Sequence, residues 1–113
     1  MENGKHLIVN ADCNNNLMFN SISSVYELLE SLADKLSLIR LTSPYVIKGV
    51  ENNPGLTGFI IIDTSHISIH SFTKKKFVAL DIYSCKGFDH EIVLDFLKQK
   101  FASKNFHYSV VER

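Results

Sequence analysis

The chain has 113 residues, of which 45% are hydrophobic and 21% are charged, a composition typical of one small globular domain. Twelve lysines and arginines balance twelve aspartates and glutamates, and this net charge of zero argues against a nucleic-acid-binding protein. No apolar run approaches the roughly 20 residues of a membrane span, and the first residues lack the layout of a signal peptide. Two cysteines are too few for a disulfide scaffold, so we expect a cytoplasmic protein.

In chain order, the first predicted element is a strand over residues 5–9, which form a short apolar run. Residues 11–16 are polar and rich in asparagine, which is typical of a loop. From about Ser21 the apolar residues recur at steps of three and four, which predicts a helix whose start is capped by Ser21 or Ser23. Its predicted buried face consists of Val25, Leu28, Leu29, Leu32 and Leu36.

Short extended pieces are predicted after this helix. Residues 38–41 are a candidate second strand and residues 45–49 a further one, while residues 51–55 contain Asn, Pro and Gly and predict a turn. Three β-rich runs follow, at residues 58–63, 66–72 and 77–83. The three lysines at residues 74–76 fit a hairpin turn between the last two runs.

A second helix is predicted to begin after Gly87 and Asp89, and the chain to end in a strand over residues 107–111. The predicted buried face of this helix consists of Ile92, Val93, Phe96, Leu97 and Phe101. Residues 1–113 are therefore expected to form one α+β domain, a two-layer sandwich in which two helices pack on one face of an antiparallel sheet. The other face of the sheet is then free to meet water or a second subunit.

The most informative chemical pattern follows Asp63, where side chains alternate between the two faces of a strand. One face carries His66, Ser68, His70 and Phe72, and the other carries Ile67, Ile69 and Ser71. On a strand the two histidines stand about 13 Å apart, so they cannot share one metal ion, and we expect no metal site. The residues alone leave two interpretations open, a polar face that contacts solvent or a strand that lines an active site.

Four segments carry a resemblance to a known family. Ser65-His-Ile-Ser-Ile-His70 resembles the processing site of prokaryotic S-adenosylmethionine decarboxylases, which make a pyruvoyl cofactor from an internal serine. Gly4-Lys-His-Leu-Ile-Val9 is similar to the first strand of that family, and Gly55-Leu-Thr-Gly58 to its Gly-x-Ser-Gly segment. Asp81-Ile-Tyr-Ser-Cys85 is similar to the strand that ends in its catalytic cysteine. The resemblance covers essentially the whole chain.

This resemblance implies that the chain cuts itself between Thr64 and Ser65. The Ser65 hydroxyl would attack the Thr64 carbonyl, and Thr57, in the place of the family's serine, would donate a hydrogen bond to that carbonyl oxygen. His70 would then remove the α-proton of residue 65. The products would be a β chain of residues 1–64 and an α chain of residues 65–113 that begins with a pyruvoyl group derived from Ser65.

The resemblance also implies what the processed protein does. The pyruvoyl carbonyl would form a Schiff base with the amine of a small amino-acid-type substrate, and Cys85 would protonate the substrate's α-carbon after CO2 is lost. The expected reaction converts S-adenosylmethionine to its decarboxylated form for polyamine biosynthesis. The expected assembly is a homodimer of processed αβ units with active sites at the interface.

The sequence departs from the family around the expected substrate site. Thr64 replaces a glutamate before the cleavage serine, and Lys74 replaces a glutamate that contacts the ribose, although an ammonium group can only donate hydrogen bonds. The family's adenine-stacking aromatic residue has no clear counterpart, and Tyr45 and Phe72 are the candidates to replace it. L-Arginine or L-ornithine decarboxylation, which relatives in this fold perform, and a non-catalytic regulatory role remain open alternatives.

Overall fold

A computed structural model describes residues 4–113. Its strands are β1 (Lys5–Asp12), β2 (Tyr45–Val50), β3 (Asn53–Ile62), β4 (Ser65–Phe72), β5 (Phe77–Ser84) and β6 (Phe106–Glu112). Its helices are α1 (Leu17–Asn20), α2 (Ile22–Lys35) and α3 (His90–Phe101). No helix of this described part is long and apolar enough to cross a membrane.

The strands form one antiparallel sheet in the order β2-β3-β4-β5-β1-β6, which confirms the predicted α+β sandwich. The face toward the helices is apolar, and alternate side chains of the four central strands are buried there. The predicted alternation along β4 is also confirmed, because Ile67, Ile69 and Ser71 are buried whereas His66 and His70 are exposed. We call the second side of the sheet the free face.

Helix α2 begins where the sequence predicts, since the Ser21 side chain accepts a hydrogen bond from the main-chain N–H of Ser24 (3.2 Å). Val25, Leu28, Leu29 and Leu32 are buried as expected, and Leu36 packs partly buried against the core at the end of the helix. Asp89 caps α3 in the same manner by accepting from the N–H of Glu91 (3.0 Å).

Three local predictions are wrong. Residues 38–41 form no strand, because their pairing with β3 is limited to one isolated antiparallel bridge, Arg40 with Ile62. A third helix, α1, follows the asparagine-rich loop, and its single turn is too short to show a helical period. The predicted turn at residues 51–55 is shorter than expected, since β3 already begins at Asn53.

The buried face of α3 also differs from the prediction. Leu94 lies in the core, whereas Ile92 is 46% exposed and Phe96 is only partly buried. The ammonium groups of Lys35 and Lys100 lie 4.8 and 5.6 Å from the centroid of the Phe96 ring and cover it with cations in place of core side chains.

Asp12 anchors the connection from α3 to β6. Its Oδ1 atom accepts hydrogen bonds from the Ser103 hydroxyl (2.7 Å) and from the main-chain N–H groups of Lys104 (2.8 Å) and Asn105 (2.9 Å). These donors, led by the Ser103 hydroxyl, lower the pKa of Asp12 from its usual 3.8 to about 2.

This shift predicts how the stability contribution of Asp12 depends on pH. Because the folded-state pKa lies below the unfolded value, the ionised carboxylate stabilises the fold above about pH 4, and this contribution is lost as the pH falls toward 2. Urea unfolding should therefore show Asp12→Asn less stable than wild type at pH 7, with a difference that shrinks toward pH 2. The control is Asp95→Asn, an exposed site on α3. A difference for Asp12→Asn that did not change with pH would contradict the assignment.

Candidate active site

The predicted cleavage bond lies in the tight turn between β3 and β4. Ile62 and Ser65 are the last paired residues of the two strands, so Asp63 and Thr64 form the whole connection. Thr64 adopts a left-handed conformation with φ of 55°, which a β-branched residue rarely does. The turn thus holds the Thr64–Ser65 peptide at the end of the sheet, next to a strained residue.

Cys85 follows β5 and meets the turn from the neighbouring strand. Its main-chain N–H donates to the Ser65 hydroxyl (3.3 Å), and its thiol is in hydrogen-bond contact with the Thr64 hydroxyl. Ser65 is 7% exposed, and Cys85 is partly exposed. The structure therefore brings together three of the predicted site residues. Thr64 and Ser65 stand on either side of the scissile bond, and Cys85 contacts both of them. We call Thr64, Ser65 and Cys85 the cleavage cluster.

Cys13 differs from Cys85 in its surroundings. It is completely buried, and burial raises the pKa of its thiol. Its sulfur contacts the main-chain oxygen of Asn15 (3.5 Å), at a site distant from the cleavage cluster in the sheet. A buried thiol of this kind behaves as a small apolar side chain.

The second group of predicted site residues is a pair of side chains on the free face. Thr57 of β3 and His70 of β4 are direct cross-strand partners, and Oγ1 of Thr57 lies 3.0 Å from Nδ1 of His70. Because the hydroxyl and the ring nitrogen share one hydrogen bond, the imidazole is held in one orientation and its Nε2 atom is left to act on another group. We call these two residues the Thr57–His70 pair.

Two glycines allow the strand to present Thr57. Gly55 has φ of 147°, and a side chain there would collide with the main-chain oxygen of Ser71. Gly58 faces the helices, where a Cβ atom would press on a methyl group of Leu29 (3.1 Å). The hydroxyl of Ser71 also accepts from the N–H of Leu56 (2.9 Å). Close packing at Gly55 and Gly58 therefore explains the two glycines beside Thr57. The hydrogen bond of Ser71 to this strand was not predicted from the sequence.

The cleavage cluster and the Thr57–His70 pair are separate within one chain. Ser65 and His70 are five residues apart on β4, which corresponds to about 16 Å along a strand. The odd offset also places them on opposite faces, with Ser65 toward the helices and His70 exposed on the free face. Within the single chain that the structure describes, the His70 ring therefore does not reach residue 65.

The two aromatic candidates flank the Thr57–His70 pair on the free face. Tyr45 packs edge-on against Phe59, two residues beyond Thr57, with ring centroids 5.7 Å apart. Phe72, two residues beyond His70, packs against Phe77 at 5.9 Å. Tyr45 is 57% exposed, so its ring is accessible to a partner or ligand.

Lys74 lies in the turn that follows β4. Its ammonium group donates to the main-chain oxygen of Asn52 (3.2 Å) and thereby joins the β4–β5 turn to the β2–β3 turn. Lys74 therefore lies in the predicted hairpin turn and, in addition, links that turn to its neighbour.

Comparisons with known proteins agree on one family. A sequence model described as S-adenosylmethionine decarboxylase matches residues 5–113. The chain is 31% identical over 112 residues to the S-adenosylmethionine decarboxylase proenzyme of Thermococcus gammatolerans, a match that covers 97% of this chain and 76% of that protein. It is 38% identical over 60 residues to the proenzyme of Pyrococcus furiosus, covering 52% of this chain and 43% of that protein.

The fold is also similar to that of a solved structure. A crystal structure of the adenosylmethionine decarboxylase from Aquifex aeolicus superposes with a TM-score of 0.80 at 21% identity, covering 97% of this chain and 89% of that one. The matched segment spans less than half of the Pyrococcus furiosus protein but about three quarters of the Thermococcus gammatolerans protein. Because the family model matches nearly every residue, the chain belongs to the S-adenosylmethionine decarboxylase family.

Proposed function

We propose that this chain is the proenzyme of a pyruvoyl-dependent S-adenosylmethionine decarboxylase, a carboxy-lyase that cuts itself between Thr64 and Ser65. The observation that carries the proposal is the cleavage cluster, in which one cysteine contacts the residues on both sides of the scissile bond. Family membership and relatives named proenzymes support the same activity. None of the relatives compared favours L-arginine or L-ornithine as the substrate.

Self-cleavage begins with the Ser65 hydroxyl. Its oxygen attacks the Thr64 carbonyl carbon, the Thr64–Ser65 C–N bond breaks, and an ester to the Ser65 oxygen replaces the amide. A hydrogen bond from Thr57 would stabilise the negative charge that develops on the carbonyl oxygen. His70 then takes the α-proton of residue 65, and the Thr64 carboxylate leaves with the oxygen. Water hydrolyses the resulting dehydroalanine to a pyruvoyl group and releases ammonia.

The residues present fit that cofactor. Ser65 follows directly on the cleavage turn, its hydroxyl accepts a hydrogen bond from the Cys85 N–H, and the Cys85 thiol contacts the hydroxyl of the preceding residue, Thr64. A pyruvoyl group supplies a carbonyl that binds an amine and draws electrons away from the bond to CO2. Cys85 is then the residue placed to deliver a proton, and it is partly exposed toward a ligand.

Cleavage would not separate the two products. The β chain keeps β1, β2 and β3, and the α chain keeps β4, β5 and β6. These strands interleave, because β3 pairs with β4 and β1 lies between β5 and β6. Residues 1–64 contain seven acidic and four basic side chains, and residues 65–113 contain five and eight, so the products also carry opposite net charge. The sheet and the shared core hold them together more strongly than the charges.

The free face is the proposed surface for a second copy, and the processed protein is then a homodimer. It exposes large apolar side chains of three strands, with exposed fractions of 40–57%: Tyr45, Ile47, Phe59, Ile61 and Val111. A symmetric pair buries the same patch twice. Since the Thr57–His70 pair stands on this face, pairing would place it against the sheet of the other chain, where the cleavage turn, Asp63 and Thr64, is exposed at the end of β3 and β4. Homodimerisation thus supplies the contact that one chain lacks.

The substrate would bind beside the Thr57–His70 pair. Tyr45 and Phe72 lie on either side of this pair on the same face and are the proposed contacts for an aromatic base. Lys74 already donates to a main-chain oxygen and cannot replace the carboxylate that binds ribose hydroxyls in the family. Both free thiols, Cys13 and Cys85, fit a protein that works in the reducing cytoplasm.

Two measurements test this function. The mass of the purified protein should show two fragments that meet between Thr64 and Ser65, with the second fragment carrying pyruvoyl in place of its amino group. The cleaved protein should then release CO2 from carboxyl-labelled S-adenosylmethionine in preference to arginine and ornithine. A chain that stays whole, or one that decarboxylates ornithine instead, would overturn the proposal.

Cys85→Ser separates cleavage from decarboxylation. The serine hydroxyl retains a hydrogen-bonding group next to Thr64, so we expect cleavage close to that of wild type. A hydroxyl releases its proton far less readily than a thiol, so CO2 release per cleaved chain should fall by about a hundredfold or more, the effect of losing a general acid. Initial rates normalised to the cleaved fraction measure this. Unchanged rates would exclude Cys85 as the proton donor.

A further inference from the structure

The contacts of Cys85 differ on the two sides of the scissile bond. Its main-chain N–H fixes the Ser65 hydroxyl, which is the attacking group. Its thiol contacts the side chain of Thr64, the residue whose carbonyl is attacked. The self-cleavage scheme above uses only the carbonyl of Thr64 and gives its side chain no role.

Hydrogen-bond counting decides the direction of the thiol contact. The Thr64 hydroxyl has one proton, which it donates to the main-chain oxygen of Asp63 (2.7 Å). Towards Cys85 it therefore offers only a lone pair, and the thiol S–H is the donor. The thiol proton of Cys85 consequently points at Thr64, and the sulfur is held at the turn.

The contact between Thr64 and Cys85 stabilises an unfavourable backbone conformation. Thr64 has φ of 55°, which is unfavourable for a side chain branched at Cβ. The hydroxyl binds within the turn to Asp63 and across to β5 through Cys85, and both bonds oppose relaxation of that conformation. The same two bonds keep the scissile peptide in a fixed relation to the neighbouring Ser65 hydroxyl.

We infer that the hydroxyl of Thr64 is a positioning group for self-cleavage, which accepts the Cys85 S–H and thereby fixes both the thiol and the scissile turn. This inference rests on the proposed function, and it assigns the role to a residue that replaces the family's glutamate. The threonine hydroxyl reaches the thiol as an acceptor, as a carboxylate would, but it carries no charge.

The test compares Thr64→Val, which removes the hydroxyl and keeps the branched shape, with Thr64→Ser, which keeps the hydroxyl. Thr73→Val makes the same substitution in the β4–β5 turn and serves as the matched control. Self-cleavage of freshly purified precursor is followed by mass. We expect Thr64→Val to slow it about fivefold, the effect of one lost hydrogen bond, while Thr64→Ser and Thr73→Val stay near wild type.

A spectroscopic measurement reports on the contact without requiring cleavage. In a Ser65→Ala background, which keeps the chain whole, the infrared S–H stretching band of Cys85 should lie at the lower frequency of a donating thiol. Thr64→Val should move this band to higher frequency and Thr64→Ser should not. Adding Cys85→Ser identifies the band, because the S–H of Cys13 then remains alone.

The outcomes separate this inference from the proposed function. A wild-type chain that never cuts itself overturns the proposed function. Thr64→Val protein with an unchanged S–H band, or with an unchanged rate of cleavage, overturns the role of Thr64 and leaves the decarboxylase proposal intact.

Discussion

Ser65→Ala should leave the chain whole and abolish CO2 release. Without the hydroxyl there is no oxygen to take the acyl group of Thr64, so neither the ester nor the pyruvoyl group can form. The effect is therefore a complete loss at the level of background, whereas Cys85→Ser and Thr64→Val are expected to retain residual rates. Mass spectrometry of the purified protein measures the first result, and release of labelled CO2 the second.

The fold should survive this substitution. The Ser65 hydroxyl takes part in one long hydrogen bond, from the Cys85 N–H (3.3 Å), and the side chain is small and buried toward the helices. The control is Ser31→Ala, the same change on helix α2, which should cleave as wild type does. Circular dichroism spectra of the three proteins should coincide. Cleavage of Ser65→Ala at the same bond would show that another group is the nucleophile.

The fold was predictable where a local pattern has a direct structural cause. The alternation from His66 to Phe72 holds because successive side chains of a strand point to opposite faces. The Ser21 cap holds because a serine before an apolar helical pattern satisfies a free N–H group.

The wrong predictions concern features that local pattern does not determine. Residues 38–41 are mostly apolar and have the composition of a strand, but a strand needs a continuous ladder of pairs, and here the pairing with β3 is limited to a single bridge. The face of α3 turned inward is set by the sheet beneath it, so Leu94 replaces Ile92 in the core although both fit the helical period.

The candidate site was predictable in its residues more than in its arrangement. Family resemblance pointed to Ser65, His70 and Cys85, and the structure places only Ser65 and Cys85 together. The odd spacing between Ser65 and His70 already predicts that they lie apart, since residues at odd spacing on a strand face opposite sides of the sheet. The contact between Cys85 and Thr64 had no signal in the sequence, because it joins neighbouring strands through a side chain outside the regular pattern.

The separation of His70 from Ser65 leads to the second prediction of a large effect, the substitution of His70. His70→Ala should abolish self-cleavage, because no other group of the Thr57–His70 pair can take the α-proton of residue 65. Since His70 lies about 16 Å from Ser65 along β4 and on the other face, the defect should be repaired by a second chain. Ser65→Ala supplies such a chain, as it keeps His70 but cannot be cut.

Co-expression of the two variants under distinct tags therefore gives a directional result. In a mixed dimer, His70 of the Ser65→Ala chain meets Ser65 of the His70→Ala chain, so only the His70→Ala chain should be cut. If the chains pair at random, about half of the His70→Ala chains find this partner. A Ser65→Ala, His70→Ala double variant is the control, and it should repair nothing. No cleavage in the mixture would mean that His70 does not act across the free face. Cleavage of His70→Ala protein expressed alone would show that His70 takes no part in the reaction. Cleavage of the tagged His70→Ala chain, and of no other chain, in the mixture requires a site built from two copies.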